Sequence, residues 1–573
     1  MRVTALGHAG LKVETSKGTL LLDPWFSPEG AFQASWFQFP DNSHLVTPDL
    51  FNPTAIVISH EHLDHVDPWF LAYVPSSVPV IVPRYPSPVL KGKIWRGGPR
   101  QIIEASQWEL VDIAEGLRVF FVSEPPMNHD SAIIVQADGQ TLLDLNDARL
   151  FPVQFREIRQ KVGGVVDMFT FQGAGASWYP MCYDYPPERT SALSRQKRLA
   201  KFGYCYRTMK LLEPTVGLPF AGPPAFLDPE LFRYNAEMKE GIFPDQQQVA
   251  DWLASRRIEN TVVLLPGDAW DIDARTKDPD PHWRDFSFAD RWPYLEAYAR
   301  RRCEHVEAVI ARHPVPDTSL WEPFERYFHR LLAMSPYFNR KINMRVGFAV
   351  LGPGGGRWAV DFRPGREGVL RGIADCSYVY RFQSRWLPSI LDGRTPWEDF
   401  LLSLRIRAWR DPDVYNDHLL GLLKFAEPAA LRAVETFETT MASDERITIH
   451  SDGRVYSVSR YCPHAGNDLL NTGEVLPGGL LRCLAHHYEF DLASGRCVNG
   501  NCEPLKVELL EGGGNSPAAA ARGSGATWRC GGPGGEDPCG GDRSKAYGSD
   551  VGSEPVEGSG VSRRPPADAA HRL

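Results

Sequence analysis

Short apolar runs separated by turn residues dominate the first half of the chain. Leu11-Lys12-Val13-Glu14 alternates apolar and polar positions, the period of a half-buried strand. Leu20-Leu21-Leu22, Ala55-Ile56-Val57-Ile58 and Ala132-Ile133-Ile134-Val135 are apolar without interruption, as expected of strands covered on both faces. This β-rich pattern continues to about residue 280. Within it, Glu188 to Leu212 is rich in Lys, Arg and Leu and reads as a pair of helices. Longer helical periodicity follows at Trp292 to His313 and Trp321 to Leu332. A β segment is expected from Asn343 to Phe382, then a helix-rich stretch from Trp386 to Phe425.

The last 62 residues break with everything before them. Residues 512–573 are rich in Gly, Ala, Ser and Pro, and their only Leu, Ile, Val or Phe residues are Val551, Val556, Val561 and Leu573. Such a segment buries too little apolar surface to offset its ordering entropy and is expected to be disordered. Four parts result: 1–280, 281–429 (a mixed, helix-rich α+β domain), 430–511 and the tail 512–573. A chain of 573 residues fits three or four domains.

Composition narrows the setting. Hydrophobic residues make up 43% of the chain, enough for several cores. The net charge of -9 argues against general nucleic-acid binding. The start, Met1-Arg2-Val3-Thr4, runs straight into a strand pattern, and no stretch approaches the roughly eighteen apolar residues of a membrane span. A soluble, cytoplasmic protein without a membrane partner is expected. Cys182, Cys205, Cys303 and Cys376 are scattered and read as free thiols. Cys497 and Cys502 flank a Gly/Asn turn and also read as thiols in a reducing compartment.

The strongest chemical signal is Cys462-Pro463-His464 followed by Cys483-Leu484-Ala485-His486. C-x-H and C-x-x-H at this separation form the ligand pattern of a Rieske [2Fe–2S] centre: two thiolates on one iron, two imidazoles on the other. A zinc knuckle is the competing reading, but zinc spacings do not pair these two half-motifs. The cluster ligands are thus expected to be Cys462, His464, Cys483 and His486, in an all-β module. The positions where high-potential Rieske proteins carry a second Cys pair hold Asn467 and Ala485 here, so a lower-potential centre is expected.

A second metal motif follows the buried strand Ala55 to Ile58. His60-Glu61-His62-Leu63-Asp64-His65 places four candidate ligands, His60, His62, Asp64 and His65, within six residues. Imidazole and carboxylate ligands suit Zn, Fe or Mn. His129, with Asp130 as its rival, and Asp147 are the further candidates, each near a strand end. Asp64 and Asp147 are the expected catalytic carboxylates. His8 is read either as lining this site or as a structural hydrogen-bonding group.

The H-x-H-x-D-H motif resembles the signature of the metallo-β-lactamase superfamily, which implies an αββα sandwich for the first part. The final His of its hydrolases is missing from Thr215 to Gly222. A metallo-β-lactamase-like domain joined to a Rieske module resembles the CMP-N-acetylneuraminate hydroxylases. Asp23-Pro24-Trp25, Gly173-Ala174-Gly175-Ala176-Ser177, Pro219-Phe220-Ala221-Gly222 and Arg407 to Tyr415 carry that likeness across most of residues 1–425. The animal enzymes place the Rieske module first, whereas here it comes last. The middle region also resembles sterol-carrier-type domains faintly.

The resemblance implies an O2-dependent monooxygenase. Its partners would be an electron donor (a reductase, cytochrome b5 or ferredoxin), O2 and a small-molecule substrate such as a CMP-sialic acid. The cofactors would be a [2Fe–2S] cluster and iron, alternatively zinc, in the first domain. Arg149, Arg405, Arg407 and Arg410 are candidates for meeting phosphate or carboxylate groups. The rival readings are a lactonase- or phosphodiesterase-like hydrolase with a regulatory Rieske module, and an electron-transfer protein.

Overall fold

The computed structural model describes residues 1–511 except 176, 414, 442–444, 464–465, 485–486 and 500–501, with backbone alone at 440, 441 and 511. The expected disordered tail, 512–573, lies outside the described residues.

Two sheets face each other in the first part. One has eight strands, including Arg2–Gly7, Gly10–Thr15, Gly18–Leu22, Ala55–Val57 and Val80–Pro83; the other has six, including Leu117–Ser123, Ser131–Ala137, Gln140–Asp144, Met168–Gln172 and Val216–Phe220. The uninterrupted apolar runs explain the layering, because successive side chains in a strand point to opposite faces. Leu20 and Leu22 enter the core between the sheets, together with Val119, Phe121, Ile133 and Val135. Leu21 turns outward under the helices Pro68–Leu71 and Val89–Arg96. Phe120, Val122 and Ile134 turn outward under Pro152–Lys161, Pro187–Leu212 and Gln246–Ala254. Three stacked cores make the αββα sandwich of the metallo-β-lactamase fold.

Two local expectations are corrected. Pro187–Leu212 is one helix of 26 residues, not a pair. No Pro follows its first residue, and its single interior Gly203 costs only about 1 kcal/mol relative to Ala. The stretch from Trp386 to Phe425 is not wholly helical, because Ile406–Arg410 is a strand at the edge of the third sheet.

That third sheet has five strands, with Arg345–Leu351 and Tyr378–Gln383 parallel at its centre. Phe324 and Phe328 of the helix Trp321–Met334 pack on Phe348. This core is continuous with the first part: Trp36, Phe37, Phe226 and Phe243 belong to the same apolar cluster as Phe348 and Trp397. The helix Pro428–Met441 joins it through Leu431 and Val434.

From Arg446 onward a separate small core forms between two three-stranded sheets, with Ile447, Val458, Leu481 and Phe490 at its centre. Among the described residues no helix is long and apolar enough to cross a membrane.

Candidate metal centre and cluster module

Parallel neighbouring strands end at one edge, and the first site lies there. Gly18–Leu22 and Ala55–Val57 are parallel, with Leu22 beside Val57. Asp23 is therefore delivered next to Ser59, whose N–H and hydroxyl both donate to it at 2.8 and 2.5 Å. In the other sheet, Gln140–Asp144 and Met168–Gln172 are parallel, and they bring Asp147 and Gln172 to the same edge. Gln172 Nε2 donates to Asp147 Oδ1.

The histidine loop fills the space between the two sheet edges. His60 Nε2 and His62 Nδ1 lie 2.9 Å apart. His65 Nε2 lies 3.6 Å from Asp147 Oδ1 and 3.9 Å from Asp64 Oδ2. His8 Nε2 lies 2.9 Å from Asp64 Oδ2, which assigns His8 to the site. Among the described residues three overlapping groups, His60/His62/Asp147, His8/Asp64/His65 and Asp23/His60/His65, have ligand atoms within 4.8 Å of one another, and the first two share no residue and could each hold one ion. Ligands at ~2.1 Å from a shared ion stand roughly 3–4 Å apart, so the spacings fit.

The far side of each imidazole is held as a metal ligand requires. His65 Nδ1 meets Asp23 at 2.8 Å, His60 Nδ1 meets Ser59 Oγ at 2.9 Å, and His62 Nε2 faces Glu398 at 3.3 Å. Such partners fix tautomer and ring orientation in metal sites. Several buried atoms here have no hydrogen-bond partner, His65 Nε2, Asp64 Oδ1 and Asp130 Oδ1 among them. Orphaned buried polar atoms grouped in one site are what cations would satisfy.

Electrostatics agree. Burial alone would lower the pKa of His65, but Asp64, Asp147 and Asp23 outweigh it and hold the imidazole at about 10. Burial likewise opposes charge on His62, yet Glu398 raises it to about 9. Burial and the nearby Asp23 push Asp144 up to about 8. Without a metal, protons supply the positive charge that these carboxylates demand.

His129 is placed differently from expectation. It is buried, but its ring is stacked on Tyr85 at 4.5 Å and packs on Phe425 at 4.6 Å, and its Nδ1 meets Glu61 at 3.2 Å. The site receives its neighbour instead: Asp130 Oδ1 lies 3.7 Å from His60 Nε2. Extended residues leading into the strand Ser131–Ala137 point alternately to opposite sides, so only one of the pair can face the ions.

Glu398, absent from any sequence motif, arrives from the helix Trp397–Leu402 of the middle region. Lys424 meets it at 3.1 Å, and the nearby Lys93 forms a second buried pair with Asp399 at 2.8 Å. Burial pushes Glu398 up, but Lys424 and His62 overcome that and hold it at about 2. A carboxylate inside the apolar run Trp397-Glu398-Asp399-Phe400 was the available signal. Of the four candidate arginines, Arg405 is paired with Asp228 at 2.6 Å and Arg407 with Asp184 at 3.0 Å. Arg149 and Arg410 reach a cavity.

In the small module Cys462 and Cys483 are both buried in one core. Their N–H groups bond Asn467 O and Tyr488 O, each at 2.8 Å, which closes two facing loops. His464 and His486 lie outside the described residues.

A cavity of about 510 Å³ joins the two regions. His62, Asp130, Asp147 and Glu398 line one side, and Leu484, His487 and Tyr488 of the cysteine loops line another. Met127, Leu401, Leu420 and Val434 give it an apolar stretch.

Residues 423–508 match the family of the Rieske [2Fe-2S] domain. A relative from Mycolicibacterium smegmatis, named as a Rieske 2Fe-2S iron-sulfur protein, is 30% identical over 89% of this chain and 100% of its own. The cytidine monophosphate-N-acetylneuraminic acid hydroxylase of Danio rerio is 24% identical over 72% of this chain and 70% of its own, which bears out the family resemblance in the sequence. Among solved structures, Igni18, a metallo hydrolase from Ignicoccus hospitalis, shares 16% identity over 47% of this chain and 96% of its own, with a TM-score of 0.32. With a relative at this identity matched along its whole length, the chain belongs to the family of Rieske 2Fe-2S iron-sulfur proteins.

Proposed function

We propose that this chain is an O2-dependent hydroxylase. A Rieske cluster held by the small module would supply single electrons, the imidazoles and carboxylates of the sandwich domain would hold the metal, and the cavity they share would receive the substrate. The observation that carries this reading is the shared cavity, whose walls include both metal-site residues and cysteine-loop residues. A hydrolase has no use for that juxtaposition.

The residues divide as follows. Cys462, His464, Cys483 and His486 would hold the cluster. His60, His62, Asp130 and Asp147 would hold one ion, and His8, Asp64 and His65 a second; Asp147 Oδ1 lies 3.6 Å from His65 Nε2. The donor set of imidazoles and carboxylates suits iron, which when bound would supply open positions for O2 activation. Asp23, Ser59 and Glu398 keep the three loop imidazoles in their ligating orientation. Gln172 anchors Asp147 and is itself held by Lys201. An external reductase, ferredoxin or cytochrome b5 would reduce the cluster, and CMP-N-acetylneuraminate is the first substrate to try among small anionic metabolites.

The test is oxygen labelling. With iron restored, a reductase system and 18O2, one labelled atom is expected in the product. Label arriving from water, or turnover that needs neither electrons nor O2, overturns the proposal, since a metal-bound hydroxide is the hydrolytic nucleophile.

A further inference from the structure

The cavity has a cationic end that the metal residues do not use. Tyr179 has two positive side chains beside it: the Arg410 guanidinium carbon lies 5.4 Å from its ring centre and Lys197 Nζ 5.7 Å. The Arg410 side chain is 6% exposed. Its Nε donates to Asp413 at 2.7 Å, but Asp413 also accepts from Tyr185 and Arg189. Arg410 Nη1 is buried with no hydrogen-bond partner. A guanidinium edge left unsatisfied on a cavity wall is poised for a ligand acceptor.

Lys197 is in a similar position. It projects from the long helix Pro187–Leu212 and donates to the Tyr179 carbonyl at 3.2 Å. The charges acting on it, Arg149 and Lys201, are both positive, and with burial they draw its pKa down to about 7. A cation kept in place without a carboxylate costs stability unless something else supplies the negative charge. One turn further along the helix, Lys201 bonds Gln172, and Gln172 bonds Asp147. The same helix therefore serves the cationic end of the cavity and, through Gln172, the metal end.

We propose that Lys197 and Arg410, both beside Tyr179 on the cavity wall, form the subsite for an anionic group of the ligand, a phosphate or a carboxylate, and thereby set which end of the molecule faces the metal residues. This deepens the hydroxylase reading and rests on it only for the name of the site.

Anion binding tests it without turnover. The full-length protein, carrying its cluster and stripped of the first metal by a chelator, is titrated with inorganic phosphate and with acetate, following tryptophan fluorescence, to which Trp178 on the cavity wall contributes. Saturable binding is expected for at least one probe; preference for phosphate or for acetate assigns the group. K197M and R410M should each weaken it tenfold or more, K197R should restore most of it, and R326M, a change on an exposed helical pair, should leave it unchanged. Circular dichroism and cluster absorbance establish that each variant is folded. No saturable binding of either probe, or equal affinity in wild type and the folded K197M/R410M variant, overturns the subsite. Because neither O2 nor electrons enter the measurement, a loss of labelled product in the hydroxylase test leaves this result standing, and the reverse also holds.

Discussion

The cysteine-loop module and the candidate metal centre are built on opposite plans. The cysteine loops are compact: Cys462, Cys483 and Tyr488 lie within one small core, and both cysteine N–H groups bond carbonyls of their own loops. The sandwich site draws its groups from His8, Asp23, the loop His60–His65, Asp130, Asp147 and, from the middle region, Glu398. One is a local device set on the protein. The other exists only once distant parts of the chain have folded together. The electron carrier should therefore survive damage elsewhere, whereas the metal centre reports on the packing of the whole chain.

The largest effects come from breaking each region separately. Cys462→Ser should abolish the cluster's EPR signal and leave first-site metal content unchanged. His60→Ala should remove metal from the sandwich and leave the cluster reducible. If either change empties both centres, the independence of the two regions is refuted.

Glu398→Gln sharpens the contrast. It keeps the shape of the side chain but weakens the hold on His62, and outer-shell changes of this kind cost ~10–100-fold in metal affinity. Competition with a chromophoric chelator measures it. An unaltered affinity would mean that the middle region contributes nothing to the centre.

Lys93→Met is expected to act on stability. Lys93 and Asp399 are 1% and 3% exposed, and Lys93 also bonds Glu61 O at 2.6 Å. Leaving Asp399 buried without its partner should cost about 3–5 kcal/mol, seen as a lower urea midpoint. The double change Lys93→Met with Asp399→Leu should recover much of that loss.

The smallest effect has the opposite sign. The Lys197 pKa is depressed in the folded state to about 7, so between that pH and the ordinary lysine range the unfolded chain binds more protons and stability rises with pH. K197M removes the penalty. It should raise the melting temperature by ~2 °C at pH 7 and flatten its rise toward pH 10.

What the sequence disclosed follows the same division. The cysteine–histidine spacing and the His60–His65 loop are local patterns, so their chemistry was legible residue by residue. The uninterrupted strands announced burial on both faces, and three stacked cores followed. His129 was chosen over Asp130 because composition cannot say which of two adjacent residues faces inward; the pleat decides that. Glu398 and Lys424 were invisible because they meet His62 and Glu61 across several hundred residues of chain. The single helix at Pro187–Leu212 was missed because its apolar face is broken by lysines, two of which, Lys197 and Lys201, turn toward the cavity wall and Gln172.

The cavity wall formed by Leu484, His487 and Tyr488 has a consequence for exchanging parts between relatives. A Rieske module is commonly pictured as a battery that can be swapped to change the driving force. Here the battery casing is also part of the mould. Transplanting a module of different potential would reshape that wall, so under the proposed reading potential and ligand selectivity would shift together.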